Sequence, residues 1–378
     1  MYPGADVRIR AAGSEIVRVT GAARVLAKDP DLRGLTARQV AQIVNWTLPD
    51  QATPPPFTVF EKTVTDLQKA MTRGVVTSED IVREYLTRLT LYDRDGPSFR
   101  ALLALSPRAF ADARARDADR RAGHVRSAFH GIPIVFKDNI DTTELPTTGG
   151  ARALVDHRPR LDSRVAAGMK AGGAVVLGKA NLDEFPFGEF GISSVGGTVG
   201  NAYDPSISTA GSSGGSATAV AASLAALAFG TDTCNSLSNP SAFASLATIR
   251  TTRGLTSRAG VMPLNTYNDA VGPMAKSVRD VALALDLVTG FDPEDPVTTD
   301  AGAHISGSFA GGLDSATLAG RRIGVLRQRF VGITGEREVS AAMDRVVKEL
   351  AAAGAVPIGV AIPDYDATKH RRPPPTAR

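Results

Sequence analysis

Residues 209–240, TAGSSGGSATAVAASLAALAFGTDTCNSLSNP, place a serine-bearing turn on either side of an apolar, alanine-rich segment. The first turn is the Gly/Ser run 211–216, and the second surrounds Ser236. A glycine-rich turn that leads into a helix leaves backbone N–H groups free to face an anion or an oxyanion. The 24 residues from Ser212 to Ser236 suffice for one helix and one short strand. The stretch therefore predicts a fold that brings the two turns together.

Two further regions contain motifs that are informative together with the first stretch. Residues 130–141 read HGIPIVFKDNID, and residues 246–264 and 269–282 read LATIRTTRGLTSRAGVMPL and DAVGPMAKSVRDVA. Taken with the first stretch and in this order, they resemble the amidase signature family, serine hydrolases of C–N bonds with a Ser, Ser, Lys triad. The resemblance covers roughly residues 59–360, which is most of the chain.

Apolar strands alternate with helices along the chain, which predicts an α/β fold with a sheet covered on both faces. The resemblance implies the same class, a large mixed β-sheet sandwiched between helical layers. Predicted strands are residues 101–105, 131–137, 174–177, 323–326 and 355–360. Predicted helices begin at Thr65 and Thr77 as caps and continue with residues 108–121, 163–171 and 336–353.

The chain divides into three predicted segments. Residues 1–56 are interpreted as an extension with a short helix at 35–46 and a proline-rich linker, and residues 57–362 as the amidase signature domain. Residues 363–378 contain three consecutive prolines and several basic residues, which favours a disordered tail. Family members continue beyond this point, so the sequence predicts a member with a shortened C-terminal region.

The amino-acid composition argues against several classes of protein. The 378 residues are 43% hydrophobic, carry a formal charge of +4 and have scattered arginines, which argues against a nucleic-acid-binding surface. Cys234 is the only cysteine, so there is no internal disulfide or thiolate zinc cluster, and a reducing compartment is expected. No signal peptide or membrane-spanning run is evident. We expect a soluble, cytoplasmic protein, and a homodimer stays open.

Amide hydrolysis needs a nucleophile, a base that is neutral near pH 7 and donors for the oxyanion. Lys137 ends an apolar strand, where desolvation would lower its pKa and let the amine accept a proton. Read from position alone, Lys137 could equally extend to the surface or pair with Asp138. The resemblance instead implies Ser236 as nucleophile, Ser212 as the bridging serine and a cis peptide bond beside Ser212, with Gly211 and Ser213 in support.

The loop before Ser236 departs from the family pattern. The resemblance implies an oxyanion hole made of the backbone N–H groups of Thr233, Cys234, Asn235 and Ser236, where the family has two glycines before the nucleophile. Cys234 and Asn235 replace those glycines, and Leu237-Ser238 replaces an Ile-Arg pair. Asparagine tolerates left-handed backbone geometry, so position 235 is compatible with the turn. Asp232 is expected to accept loop N–H groups, and Asp269 and Arg258 are interpreted as scaffold.

Other interpretations remain open. Residues 211–215 also match G-x-S-x-G with Ser213 at the centre, but this motif needs a preceding strand and a later histidine, and only His304 and His370 follow. A second alternative is a truncated, catalytically impaired homologue, or a glutaminase-type subunit of a tRNA-dependent amidotransferase. We favour an amidase that needs no metal or cofactor and hydrolyses a small linear amide to an acid and an amine.

Overall fold

The computed structural model describes residues 57–327 and 337–363. Contacts divide the chain into two units, with the boundary between Ala310 and Gly311. The helix expected at 35–46, the proline-rich linker and the tail from residue 364 lie outside the described residues. The segment borders at 56 and 362 therefore remain predictions.

A six-stranded mixed sheet forms the centre of the first unit. Its order is β1-β3-β2-β6-β8-β7, with β3, β2 and β6 parallel and the outer strands antiparallel. Strands β4 and β5 form a separate hairpin. The strands are β1 (Leu102–Leu105), β2 (Pro133–Lys137), β3 (Val175–Ala180), β4 (Ile192–Ser193), β5 (Gly197–Thr198), β6 (Leu227–Asp232), β7 (Ala247–Thr248) and β8 (Ala270–Ala275). The predicted α/β class with a large mixed sheet is confirmed.

Helices flank this sheet. Those of the first unit are α1 (Val64–Thr72), α2 (Ser78–Arg88), α3 (Ala109–Arg121), α4 (Arg164–Ala171), α5 (Gly214–Ala221), α6 (Ser238–Phe243) and α7 (Val278–Val288). The short helix α8 (Phe309–Asp314) crosses the boundary between the units. A π-helical turn, Leu89–Arg94, extends α2, and short 3-10 turns occur at Arg152–Leu154, Pro296–Thr298 and Ala301–His304.

The N-cap residues of α1 and α2 can be compared with those predicted from the sequence. Thr77 caps α2 through a capping box with Asp80, as expected. The expectation for Thr65 is wrong, because Thr63 is extended and forms the capping box with Asp66. Thr65 already lies in the first helical turn, since the signal Thr-x-x-Asp begins two residues earlier.

The parallel centre of the sheet fixes the position of the candidate site. Every residue of β2, β3 and β6 is buried, and the Phe136 and Phe229 rings stack with centroids 5.5 Å apart. Because β2 and β6 are parallel neighbours, their carboxyl ends reach the same edge of the sheet. Lys137 ends β2 and Asp232 ends β6, so both residues lie at this edge.

The second unit contains β9 (Arg322–Leu326), α9 (Arg337–Ala352) and β10 (Val356–Val360). The two strands are parallel, with Val356 opposite Arg322. These elements match the strand, helix and strand predicted from the apolar pattern. In the residues described here, no helix combines the length and apolar content required to cross a bilayer.

Candidate active site

Lys137 is completely buried at the end of β2. Its Nζ lies 2.7 Å from Ser212 Oγ and 2.9 Å from Thr231 Oγ1, with the Thr231 carbonyl oxygen at 3.3 Å. Pairing with Asp138 is not observed, because that carboxylate binds Lys179 at 3.2 Å instead. Lys137 therefore points into the protein and towards the glycine-serine turn.

Burial also sets the charge state of this amine. Desolvation lowers the pKa of Lys137 to about 7, although Asp183, Asp232 and Asp269 each act to raise it. A neutral amine is thus accessible near neutral pH. Thr231, which supplies two of the contacts, was not identified from the sequence because it lies 94 residues further along the chain.

The turn that carries Ser212 packs against Asp183. The Gly211–Ser212 peptide bond is cis, as the resemblance implies, and the Ser212 carbonyl accepts a hydrogen bond of 3.1 Å from Asp183 N. A Cβ atom at position 211 would overlap the Asp183 carboxylate. That carboxylate also accepts the backbone N–H groups of residues 190–192. Glycine at 211 is required by this close approach, and Asp183 was missed by the sequence analysis.

Ser213 has a different environment from Ser212. Its hydroxyl is completely buried and donates to the Thr231 carbonyl over 3.1 Å. Residues 199–213 contain no strand. The interpretation of residues 211–215 as a nucleophile elbow therefore lacks the strand that this motif requires.

Ser236 lies in the loop that joins β6 to α6, and the residue is 8% exposed. Asp232 stabilises this loop by accepting the N–H groups of Asn235 at 2.9 Å and Leu237 at 2.8 Å. Arg250 Nε donates to the same carboxylate at 3.1 Å. Asp232 thus accepts loop N–H groups as the sequence predicts, and Arg250 supplies a guanidinium brace that position 238 lacks.

The predicted oxyanion donors differ among themselves. Asn235 has a φ of 90°, a left-handed conformation that asparagine tolerates, and its N–H is already bound to Asp232. In the described part of the chain, the N–H groups of Thr233, Cys234 and Ser236 have no hydrogen-bond acceptor. Three of the four expected donors are therefore available, and the Cys234 side chain is exposed.

The structure brings two members of the expected triad into direct contact. Lys137 and Ser212 share a hydrogen bond. Across residues 57–327 and 337–363, no hydrogen bond joins the Ser236 hydroxyl to either of them. Ser236 is held separately, on the loop that follows Thr231.

A cavity of about 210 Å³ adjoins this centre. Its lining includes Thr231, whose side chain binds Lys137, and Thr233, which is two residues further along the chain. The lining also contains apolar residues of the segment 261–264 and several charged side chains. The arrangement combines a buried amine with a lowered pKa, a hydroxyl bound to it, free backbone N–H groups and a neighbouring cavity.

Comparison with known proteins identifies relatives of the chain. A family model described as Amidase matches residues 80–370. A glutamyl-tRNA(Gln) amidotransferase subunit from Cupriavidus metallidurans is 37% identical over 304 residues, which cover 78% of this chain and 60% of that protein. A solved structure of native peptide amidase from Stenotrophomonas maltophilia aligns with a TM-score of 0.77 and 38% identity, covering 82% of this chain and 63% of the other. The structure of the corresponding glutamyl-tRNA(Gln) amidotransferase protein from Thermotoga maritima aligns with a TM-score of 0.70 and 28% identity, covering 81% and 63%. The chain thus spans about three-fifths of the curated relatives that it matches.

Proposed function

This chain belongs to the amidase signature family, and we propose that it hydrolyses a carboxylic amide through a serine acyl-enzyme. Ser236 is the nucleophile, Ser212 relays its proton and neutral Lys137 receives it. The observation that carries the proposal is the hydrogen bond of 2.7 Å between Lys137 Nζ and Ser212 Oγ, made by a completely buried amine. A hydroxyl both donates and accepts, so Ser212 can pass a proton between Ser236 and the amine.

In the first step, Ser236 Oγ attacks the carbonyl carbon while its proton moves through Ser212 to Lys137. The oxygen of the tetrahedral intermediate takes the negative charge and binds the N–H groups of Thr233, Cys234 and Ser236. The C–N bond then breaks as the proton returns from Lys137 through Ser212 to the leaving nitrogen. Water attacks the ester with the same relay and releases the acid and free Ser236.

The test is an assay of the purified chain on aryl, alkyl and peptide amides. Ser236→Ala and Lys137→Ala should each lower kcat by about 10³-fold or more, because the nucleophile and its base act as a unit. Ser238→Ala is the matched control, since this exposed hydroxyl at the start of α6 makes a single 3.4 Å contact, to the loop carbonyl of Asn235. Unchanged turnover in the Ser236 or Lys137 variant defeats the mechanism.

The similarity to a peptide amidase at 38% identity favours a linear amide as substrate. The similarity to a glutamyl-tRNA(Gln) amidotransferase protein supports a second candidate, a glutaminase component that acts with partner subunits. Glutamine and C-terminally amidated peptides distinguish the two. Release of ammonia from peptide amides by the chain alone supports the first candidate, whereas release from glutamine only with added partner subunits supports the second.

The cellular setting belongs to the same proposal. We place the chain in the cytoplasm, because its single cysteine, Cys234, is a free and exposed thiol. A homodimer remains a prediction that sedimentation of the purified chain tests directly.

A further inference from the structure

Asn139 has a buried acceptor atom that no protein group satisfies. The residue is 1% exposed and lies two positions after Lys137, in the lining of the 210 Å³ cavity. The amide Nδ2 donates to the Met262 carbonyl at 3.1 Å and to Thr231 Oγ1 at 3.2 Å. Because a carbonyl only accepts, this pair of contacts fixes the orientation of the amide. Within the described residues, Asn139 Oδ1 then has no partner.

An orphaned acceptor of this kind destabilises the folded chain unless a ligand supplies the missing donor. The cavity that Asn139 lines also contains Thr231 and Thr233. These two residues border the proposed proton relay and oxyanion hole, so a ligand in the cavity lies beside the reacting groups. The missing donor is therefore expected on the substrate.

The charges of the cavity lining are predominantly negative. The charged side chains of the lining are Arg258, Asp269, Glu294 and Asp295. Arg258 is neutralised by Asp295, whose two oxygens lie 2.6 Å and 2.9 Å from its guanidinium nitrogens. Two carboxylates remain, Asp269 and Glu294. The chain as a whole carries +4, so this negative region is a local feature.

The two remaining carboxylates differ in their partners. Asp269 accepts the N–H groups of Leu264 and Asn265 and the Thr233 hydroxyl, so it is bound to the walls of the cavity. Glu294 is exposed, and its carboxylate has neither an ion pair nor a hydrogen bond in the part of the chain that the structure describes. Glu294 is therefore available to a ligand.

We propose that this cavity is a substrate subsite for a positively charged hydrogen-bond donor, an ammonium or guanidinium on an alkyl stem. The cation donates to Asn139 Oδ1 and is neutralised by Glu294, while the stem contacts apolar residues such as Val261 and Met262. The inference rests on the proposed amide hydrolysis and names the class of amide: one that carries a basic side chain.

The test compares N-acetyl-lysine amide with N-acetyl-norleucine amide, which share the alkyl stem but differ in charge. We expect kcat/KM to favour the lysine amide by about 5-fold or more, and the ratio to fall towards one in Glu294→Gln. Asn139→Leu should lower the same ratio, and its thermal midpoint shows whether it folds. Glu349→Gln removes one negative charge in α9, outside the cavity, and should leave the ratio unchanged.

A binding measurement separates this inference from the proposed function. Butylammonium chloride and 1-butanol are titrated calorimetrically into the wild-type chain and into Glu294→Gln. Butylammonium binding that weakens in the variant supports the subsite even if no amide is hydrolysed, in which case the proposed hydrolysis fails alone. Hydrolysis of both amides with an equal ratio in wild type and variant, together with no preference for butylammonium over 1-butanol, overturns the subsite and leaves the hydrolysis intact.

Discussion

At the scale of residues, the complete burial of Lys137 makes the stability of the chain depend on pH. Its pKa is about 7 in the folded chain, because burial disfavours the ammonium, against ~10.4 in an unfolded chain. Between these values the unfolded state binds more protons than the folded state, so the free energy of unfolding rises with pH. The penalty for burying Lys137 is complete below pH 7 and absent above the unfolded pKa.

Replacing Lys137 with methionine should remove this pH dependence. We expect the wild type to gain stability relative to Lys137→Met as pH rises from 6.5 to 10, by at most ~5 kcal/mol at ~1.4 kcal/mol per pH unit. Urea unfolding of both proteins across this range measures the difference, in which contributions from the other lysines cancel. Parallel stability curves would show that Lys137 is not buried with a lowered pKa.

Gly211→Ala tests the close approach of Asp183 to the Ser212 turn. The added methyl group would overlap the Asp183 carboxylate, so we expect a loss of ~1–3 kcal/mol in stability and a large loss of activity. Gly302→Ala is the matched control, because nothing lies within 4 Å of its Cβ position. Thermal midpoints and kcat for both variants provide the measurement. Equal effects at the two positions contradict the packing argument.

The sequence identified the expected catalytic residues, but not the residues that contact them. Lys137 and Ser212 stand in recognisable motifs, and they are hydrogen-bonded in the structure. Thr231 and Asn139 carry no local signal, because their mutual contact joins residues 92 positions apart. Such pairings depend on the order of β2 and β6 in the sheet, which no periodicity of either segment encodes.

At the scale of elements, the loop between β6 and α6 depends on one carboxylate. Asp232 accepts two loop N–H groups and the Arg250 guanidinium. In Asp232→Asn, an amide NH₂ would face one of these donors and displace the free N–H groups of the proposed oxyanion hole. We expect kcat to fall by about 10- to 100-fold with little change in KM, because the lost hydrogen bonds stabilise the transition state.

Steady-state kinetics of Asp232→Asn, with its thermal midpoint, checks this prediction. Arg250→Met provides a graded comparison, because it removes one contact to Asp232 and leaves both loop hydrogen bonds in place. A rise in KM alone, with kcat preserved, would assign Asp232 to ground-state binding instead.

Strand prediction succeeded where the apolar run was continuous and failed where packing overrode the local signal. Strands β2, β9 and β10 were found within one or two residues of their observed limits. Strand β8 was not predicted, because Gly272 and Pro273 argue against a strand. It nevertheless pairs with β6, and a side chain at 272 would overlap the Ile249 carbonyl, so glycine suits this crowded position.

At the scale of the whole molecule, the two units differ in how much apolar surface they bury. The sheet of the first unit is completely buried along β2, β3 and β6. In the second unit, α9 has no buried residue, and Val339, Val346 and Val356 are 57%, 41% and 48% exposed. Burial of apolar side chains supplies most of the stability of a domain. We therefore expect the second unit to have little stability of its own.

A matched pair of substitutions measures this contrast. Val135 in β2 is completely buried, whereas Val346 in α9 is 41% exposed. We expect Val135→Ala to cost ~2–3 kcal/mol and Val346→Ala less than ~0.5 kcal/mol, because only the first leaves a cavity. Amide hydrogen exchange of the wild type should likewise be orders of magnitude faster in β9, α9 and β10 than in β2 and β6. Equal protection from exchange in the two units would mean that the apolar surface of the second unit is buried in solution. A large loss of stability in Val346→Ala would show that the buried surface includes α9.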